Sequence, residues 1–525
     1  MGYETQAIDA LREVGEKSAK MKAMCVAPII GEDDGKIIMN EGHRNDRIKH
    51  AVAKTELSQM KGGGMVGGAF ANSVIEYVRI HGELPPEDLF ASAYDGLMAA
   101  IAYSTGGKID TSVGVFESAD ISTTEGLIFQ EKLVAMMLPT MLKGITGRFI
   151  SHIPGDANES AIYKFKRIAK TAFGEYAAGD EITLAHQGPY GVLTQRKTAG
   201  TGNSSLTTFT HTPSPATPVK PYSIKVMHDF VPVAADDGNG NLTGVFYVGE
   251  TKVTITGSVN YATGVIAPTF SVAPVTGVKI DVGFDLDIEK NPALIPQIAM
   301  DVEKRTVRPH ESALGAGVTL QALWMTRREY KMDQSSRLAM QLRHLLASDR
   351  DRQRLAAMYY FAQGQASFAW DSSNSGFGVG EFYYSGLNKK LQEVSSSMLG
   401  ATEVSGLKAL VCDTATAAKI KAFPKDYFTP APGYMHEPQP HFIGKLFGIF
   451  DVYENPSSVA NLILCIGKGP GMCEAAFIAG DAIPPIALKH PMTTGLLDQQ
   501  TLWSVAYDDL NPFNGASYLR RIVVS

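Results

Sequence analysis

The side chains best suited to metal binding or nucleophilic catalysis, twelve histidines and four cysteines, are scattered along this chain. The closest histidines, His436 and His441, lie in His436-Glu437-Pro438-Gln439-Pro440-His441. Two prolines there deny them the common helical face that an H-E-x-x-H zinc site requires. Cys25, Cys412, Cys465 and Cys473 form no C-x-x-C pair and are too few for a disulfide framework. Each reads as a small buried apolar side chain in a reducing compartment. No G-x-S-x-G nucleophile elbow occurs. The Gly-rich run from Lys61 to Gly68 lacks G-x-x-x-x-G-K-[ST] order and reads as a hinge or a tight packing point. Gly467-Lys468-Gly469-Pro470-Gly471 fails as a phosphate loop, because proline removes one of the backbone donors. The acidic Asp236-Asp237-Gly238-Asn239-Gly240-Asn241 departs from calcium-loop spacing and reads as a hairpin tip. The expectation is a non-enzymatic chain with no catalytic, cofactor-binding or metal-ligating residues.

Two charged features remain. Asp349-Arg350-Asp351-Arg352-Gln353-Arg354 offers either a solvated helix face or ion pairs to a neighbouring chain. Lys20, Lys22, Lys49, Lys54 and Lys61 make the N-terminal region comparatively basic and read as solvated lysines.

The elements that must carry these residues belong to a long chain of low charge. Its 525 residues predict about three or four domains. Charged residues make up 19%, below the usual ~25%, and the formal charge is only −6. A hydrophobic share of 44% excludes a disordered chain, and the lack of excess cations argues against a basic nucleic-acid-binding domain. No apolar run approaches the ~18 residues of a membrane span, so a soluble protein is expected. Met1-Gly2-Tyr3-Glu4-Thr5 lacks a signal-peptide layout, and Gln6 breaks a myristoylation pattern.

Periodicity predicts a mostly helical first ~117 residues. It then predicts a helix over 126–150 broken by Pro139 and a strand from Ala161 to Ala172. From Gln195 to Pro218, Ser, Thr, Gly and Pro dominate, which marks a linker or an extended arm. Residues 222–286 carry short alternating stretches separated by Gly-bearing turns and read as a small β-sandwich. No Gly or Pro occurs from Val318 to Gln363. The part after Met332 predicts a long helix with one stripe of Leu338, Leu342 and Leu345 and a shifted one of Leu355, Met358, Tyr359 and Ala362.

The C-terminal half carries an ordered set of motifs. Ile295 to Val307 alternates as a strand containing Glu303-Lys304-Arg305-Thr306-Val307, then runs into Ala313 to Leu320 and the long helix. Leu407 to Asp413, Ile443 to Tyr453, Asn511-Pro512-Phe513 and Tyr518 to Val524 follow in turn. This order resembles the major capsid proteins of tailed bacteriophages, above all the T-even-like group, weakly over residues 118–195 and moderately over 291–525. Trp503-Ser504-Val505-Ala506-Tyr507 stands where that family carries Thr-Arg-Tyr-Gly.

The resemblance implies an α+β chain of the Hong Kong 97-type phage capsid fold. Residues 1–117 would then be an N-terminal helical extension and 118–175 an N-arm. Residues 176–290 would form the extended β-hairpin loop with the inserted β-sandwich at about 222–286. A peripheral domain at 291–400 would hold the spine helix at about 332–362. The axial domain would span 401–490, with 491–525 returning to the peripheral domain. The implied function is structural: self-assembly into hexamers and pentamers of an icosahedral head around double-stranded DNA. Implied partners are further copies of the chain, portal, scaffold and decoration or vertex proteins, with no sequence-specific DNA binding and no membrane. The implied location is the virion, after assembly in the bacterial host cytoplasm. The family is trimmed after a glutamate, so Glu117-Ser118 and Glu41-Gly42 are the positions to consider; residues 1–117 are expected to be retained. The inserted β-module is expected on the outer surface. A different virion protein, or a nanocompartment shell of the same fold, is the alternative.

Overall fold

The computed structural model of the chain describes residues 3–30, 37–38, 40–59, 62–104, 137–153, 159–174, 176–183, 190–330, 334–372, 380–432, 434, 438–471, 473–489 and 497–525. It divides into two compact units, Met1–Lys164 with Val302–Ser525, and Phe165–Asp301.

The first unit opens with helices α1 (Tyr3–Cys25), α2 (Glu41–Lys54), α3 (Gly63–His81) and α4 (Glu87–Ser104). Asn40 caps α2 by accepting from the backbone N–H groups of Gly42 and His43. Met21, Phe70, Phe90 and Leu97 share one core with Leu138 of α5 (Met137–Lys143). Pro139 is the third described residue of α5. The preceding part of that predicted helix, 126–136, lies outside the described residues.

Beyond α5 the unit is built on two sheets. A seven-stranded mixed sheet runs in the order Ser367–Trp370, Leu519–Val524, Leu462–Gly467, Leu407–Cys412, Phe450–Glu454, His441–Leu446, Phe428–Pro430. Its central strands, Leu-Lys-Ala-Leu-Val-Cys and Leu-Ile-Leu-Cys-Ile-Gly, are nearly continuously apolar because both faces are covered. Three helices cover them, α7 (Gln334–Ala362), α8 (Gly380–Thr402) and α9 (Thr414–Lys421), while the shorter α6 (Leu320–Tyr330) precedes α7. Leu410 and Cys412 pack with Leu391 and Val394 of α8 and Ile420 of α9. Ala409 and Val411 point the other way, to Leu355, Met358 and Tyr359 of α7. The 29 residues of α7 span about 43 Å.

The second sheet has four strands, ordered Ser151–His152, Phe477–Lys489, Leu497–Leu510, His310–Thr319. Leu342 and Leu346 of α7 pack on it at Leu502, whereas Leu345 is exposed. Leu338 and Leu342 of the predicted stripe thus face the sheet, and Leu346 takes the place expected of Leu345, because packing on the sheet sets the rotation of the helix. Ser160–Ala169 and Ile298–Val307 form a separate two-stranded ribbon.

In the second unit, one seven-stranded antiparallel sheet runs Thr194–Thr201, Lys279–Asp285, Lys225–His228, Val231–Asp236, Asn241–Val248, Thr251–Asn260, Val265–Phe270. Two separate sheets, as a sandwich would have, are not seen among the described residues. The stretch 195–218 is no free linker. It begins as the first strand, and Thr208 and His211 then bridge Thr269 and Ile266 on the opposite edge, so the sheet curls toward closure. Its polar composition hid this because its pairing partners are polar as well: Thr194 donates to Asp285 at 2.6 Å and Thr198 to Asp281 at 2.8 Å. Val226, Ile255, Ile266, Phe270 and Val282 fill the interior.

Candidate functional site: a buried charge cluster

Helical spacing splits the charged run of α7 in two. Asp349, Arg352 and Gln353 are exposed, while Arg350, Asp351 and Arg354, related as i, i+1 and i+4, turn inward. Arg350 donates to Asp481 at 2.7 Å and to Ser504 Oγ at 2.8 Å. Arg354 donates through Nε to Asp508 at 2.6 Å and through Nη1 to Thr146 Oγ1 at 3.0 Å. Asp351 accepts from the backbone N–H of Ile145 at 3.2 Å and from the Thr146 hydroxyl. Both readings of the run are thereby corrected for these three residues, which pair within their own chain.

Burial pushes the Asp351 carboxyl above the usual range, against Arg354 and two hydrogen bonds that favour the anion. Burial also opposes the charge of Arg354, but Asp508 and Asp351 more than offset it and raise its pKa. Burial pushes buried Arg343 down to about 10, partly countered by Asp481 and reinforced by Arg350. With Asp481 and His152, these groups line a cavity of about 80 Å³. Burial pushes His152 down to about 4, so it is neutral at neutral pH. Its backbone N–H donates to Asp88 at 2.9 Å, and Lys468 reaches Asp88 at 3.3 Å and the Ile150 carbonyl at 2.8 Å.

A second node sits at Arg148, in the 3-10 turn Ile145–Arg148. Its guanidinium pairs with Asp451 at 3.0 Å and with Glu83, and lies 2.9 Å from His81 Nδ1. Burial, with the nearby Arg148 and Lys445, pushes His81 down to about 3. A neutral His81 can then accept from Arg148. The two nodes tie α7, α3, the 3-10 turn and both sheets of this unit together. Their cations and anions neutralise one another in pairs, which suits fixing the relative positions of elements better than moving a proton.

The other sequence candidates are accounted for one by one. Cys25, Cys412 and Cys465 are buried, and Cys473 is partly buried; burial pushes the thiols of Cys25 and Cys473 up to about 12 and those of Cys412 and Cys465 higher still. A Cβ on Gly67 would lie 2.5 Å from Val52 Cγ2, so the Gly-rich run is a packing point. In the second Gly-rich loop, the backbone N–H of Gly471 donates to the Glu474 carboxylate at 2.7 Å, so the loop holds an anion from its own chain. Asp237 accepts from the N–H groups of Asn239 and Asn241, and Asp236 from the N–H groups of Tyr222 and Gly238 and the Tyr261 hydroxyl, which makes the acidic turn a self-satisfied hairpin tip. His441 Nδ1 lies 2.9 Å from the Gln439 carbonyl; His436 lies outside the described residues. Lys20 sits over the Tyr94 ring, Lys22 pairs with Glu87 and Lys49 with Asp46, and Lys54 is exposed; Lys61 lies outside the described residues. Glu41-Gly42 falls in the capped first turn of α2, not in a flexible stretch, and Glu117-Ser118 lies outside the described residues. No group of three or more His, Cys, Asp or Glu able to hold a metal occurs among the described residues.

Of the motifs, Asn511-Pro512-Phe513 has a clear structural role. Asn511 Nδ2 donates to the carbonyls of Cys473 at 2.6 Å and Ala475 at 2.9 Å, and its Oδ1 accepts from the Phe513 N–H at 2.9 Å. The sequence missed the charge cluster, although the i, i+1, i+4 spacing of Arg350, Asp351 and Arg354 was a usable signal.

Residues 3–144 match a family model described as "Domain of unknown function (DUF8615)". Protein IncB of Escherichia coli is 26% identical over 137 residues, covering 25% of this chain and 63% of IncB. This chain thus spans less than two thirds of that relative. Among solved structures, the chain is similar to the capsid of jumbo bacteriophage PhiKZ, with a TM-score of 0.34, 7% identity, and coverage of 74% of this chain and 92% of that one. Similarity to a Mycobacterium phage Bobi chain has a TM-score of 0.31 at 10% identity, covering 59% and 89%. Similarity to the capsid of Myoviridae phage XM1 has a TM-score of 0.30 at 9% identity, covering 66% and 99%.

Proposed function

We propose that this chain is a structural, self-assembling shell subunit, the major capsid protein of a tailed bacteriophage. In this reading, hexamers and pentamers of the chain close an icosahedral head around double-stranded DNA, in the virion, after assembly in the host cytoplasm. Portal, scaffold and decoration or vertex proteins are its proposed partners. The observation that carries the reading is the ordered set of motifs over residues 291–525, from the Ile298–Val307 strand to Asn511-Pro512-Phe513 and the closing Leu519–Val524 strand.

The surface supports it. On α6, Leu320, Trp324 and Met325 are exposed, Trp324 by 58%, although an 11-residue helix has little stability of its own. The edge strand His310–Thr319 is paired on one side only among the described residues. Exposed apolar side chains and open strand edges are liabilities in a monomer and become contacts in an assembly. Electron microscopy of the purified full chain tests the reading: closed shells are expected, and a monodisperse monomer at all concentrations would overturn it. DNA-filled heads would distinguish a phage capsid from a nanocompartment filled with protein.

A further inference from the structure

We propose that one tip of the second unit's sheet is a contact surface for the same tip of a second copy of this chain; this rests on the self-assembly reading above. Strand registers define the tip. Thr194 pairs with Asp285 at one end of the sheet and Thr201 with Lys279 at the other. The second end gathers the turns 202–206, 229–230 and 271–278, as the Gly202–Val278, Ser204–Pro274 and Asp229–Lys279 backbone hydrogen bonds show; the turn 249–250 lies at the same end, opposite the Asp236–Leu242 pair. The segments that enter and leave this sheet, at Leu193 and Leu286, lie at the first end, where the Leu286 N–H donates to the Leu193 carbonyl.

That second end carries a group of exposed apolar side chains. Leu206, Phe230, Val231, Tyr247, Val248 and Val275 are all exposed there, Phe230 by 69% and Tyr247 by 66%. Phe230 holds its ring outward from a two-residue turn in which both residues have positive φ, 46° for Asp229 and 67° for Phe230. Asn-Gly would satisfy such a turn with less strain. The interior of the unit already has its own aromatic residues in Phe209, Phe270 and Phe284, so these side chains are not needed for its core.

Charge selects the occupant. The exposed ionisable groups around the tip are Asp229, Glu250, Lys252 and Lys279, two acids and two bases. A surface with no excess of cations does not favour nucleic acid or an anionic membrane. A balanced apolar surface can face a symmetry-related copy of itself, acid opposite base, as a twofold contact requires.

Cross-linking of the full chain tests this. Thr251 is exposed at the tip and Asn239 at the opposite end of the unit. In assembled Thr251→Cys protein, a short bis-maleimide is expected to give a dimer linked through residue 251 of both copies, and Asn239→Cys is expected to give none. Adding Phe230→Ser and Tyr247→Ser to Thr251→Cys is expected to abolish that dimer. Assembly without a 251-to-251 link, or a link from 251 to a different polypeptide, would overturn the tip contact and leave the shell reading standing. A chain that does not self-associate at all would overturn both.

Discussion

Arg354 is the side chain on which the buried cluster depends most, and its removal can be costed. It meets Asp508 through Nε at 2.6 Å and through a second, closer contact, supports Thr146 at 3.0 Å, and lies 3.7 Å from Asp351. Arg354→Met keeps an apolar stem of similar reach and strands the Asp508 carboxylate in a site where water is scarce. Breaking one side of a buried ion pair costs about 3–5 kcal/mol. With a urea dependence of about 3 kcal/mol per molar, the unfolding midpoint of the chain should fall by about 1–1.7 M. Adding Asp508→Asn removes the stranded charge, so the double variant should recover at least half of the loss. The coupling between the two positions should then reach about 2 kcal/mol. Urea unfolding of the four proteins of this cycle provides the measurement. A single variant within about 1 kcal/mol of the parent, or two effects that simply add, would refute the claim that this pair is buried and mutually dependent.

Three further outcomes follow from the same contacts. Asn511→Ala should cost about 3 kcal/mol in urea unfolding, because it leaves the carbonyls of Cys473 and Ala475 and the N–H of Phe513 without their partner in a buried position. His152 has a folded pKa of about 4, below its ordinary 6.5, so its contribution is present in full above pH 6.5 and is lost as pH falls toward 4, where the unfolded chain binds the proton first. That contribution is on the order of 3 kcal/mol, and His152→Gln should flatten the acid limb of a stability-against-pH curve; an unchanged slope between pH 6.5 and 4 would rule the residue out as its source. Gly67→Ala should destabilise the N-terminal helices by about 1–3 kcal/mol, since the new methyl group meets Val52 at 2.5 Å, and a variant as stable as the parent in thermal unfolding would show that the α2–α3 contact is looser than this.

What could be read from the sequence depended on whether local pattern and final packing agreed. The strand Leu407–Cys412 is apolar over nearly its whole length and was recognisable, as was the helix after Met332. The strand Thr194–Thr201 was not, since its stabilising partners are cross-strand carboxylates far along the chain rather than its own side chains. The helical stripes were legible except at one leucine: Leu338, Leu342, Leu355, Met358, Tyr359 and Ala362 face inward, but Leu345 and Leu346 are equally apolar, and only the sheet at Leu502 selects the second. The charge cluster was missed for a related reason. A run of alternating charge is ordinarily solvated, and its partners Asp481, Ser504 and Asp508 come from strands more than a hundred residues away.

The resulting distribution of polarity bears directly on the proposed role. Paired charges lie inside, at Arg350, Arg354 and Arg148, while large apolar side chains lie outside, on α6 and at the tip of the second unit. Buried ion pairs contribute little net stability, but they penalise any register in which a partner is lost, so they can hold α7 in one position on its sheets. Exposed apolar groups contribute nothing to a solitary subunit and gain their hydrophobic free energy only when covered. In the proposed shell, a chain arranged in this way is fixed in shape by its interior and draws further stability from its neighbours. That division of labour suits a subunit that must present the same surfaces at every position of a closed shell.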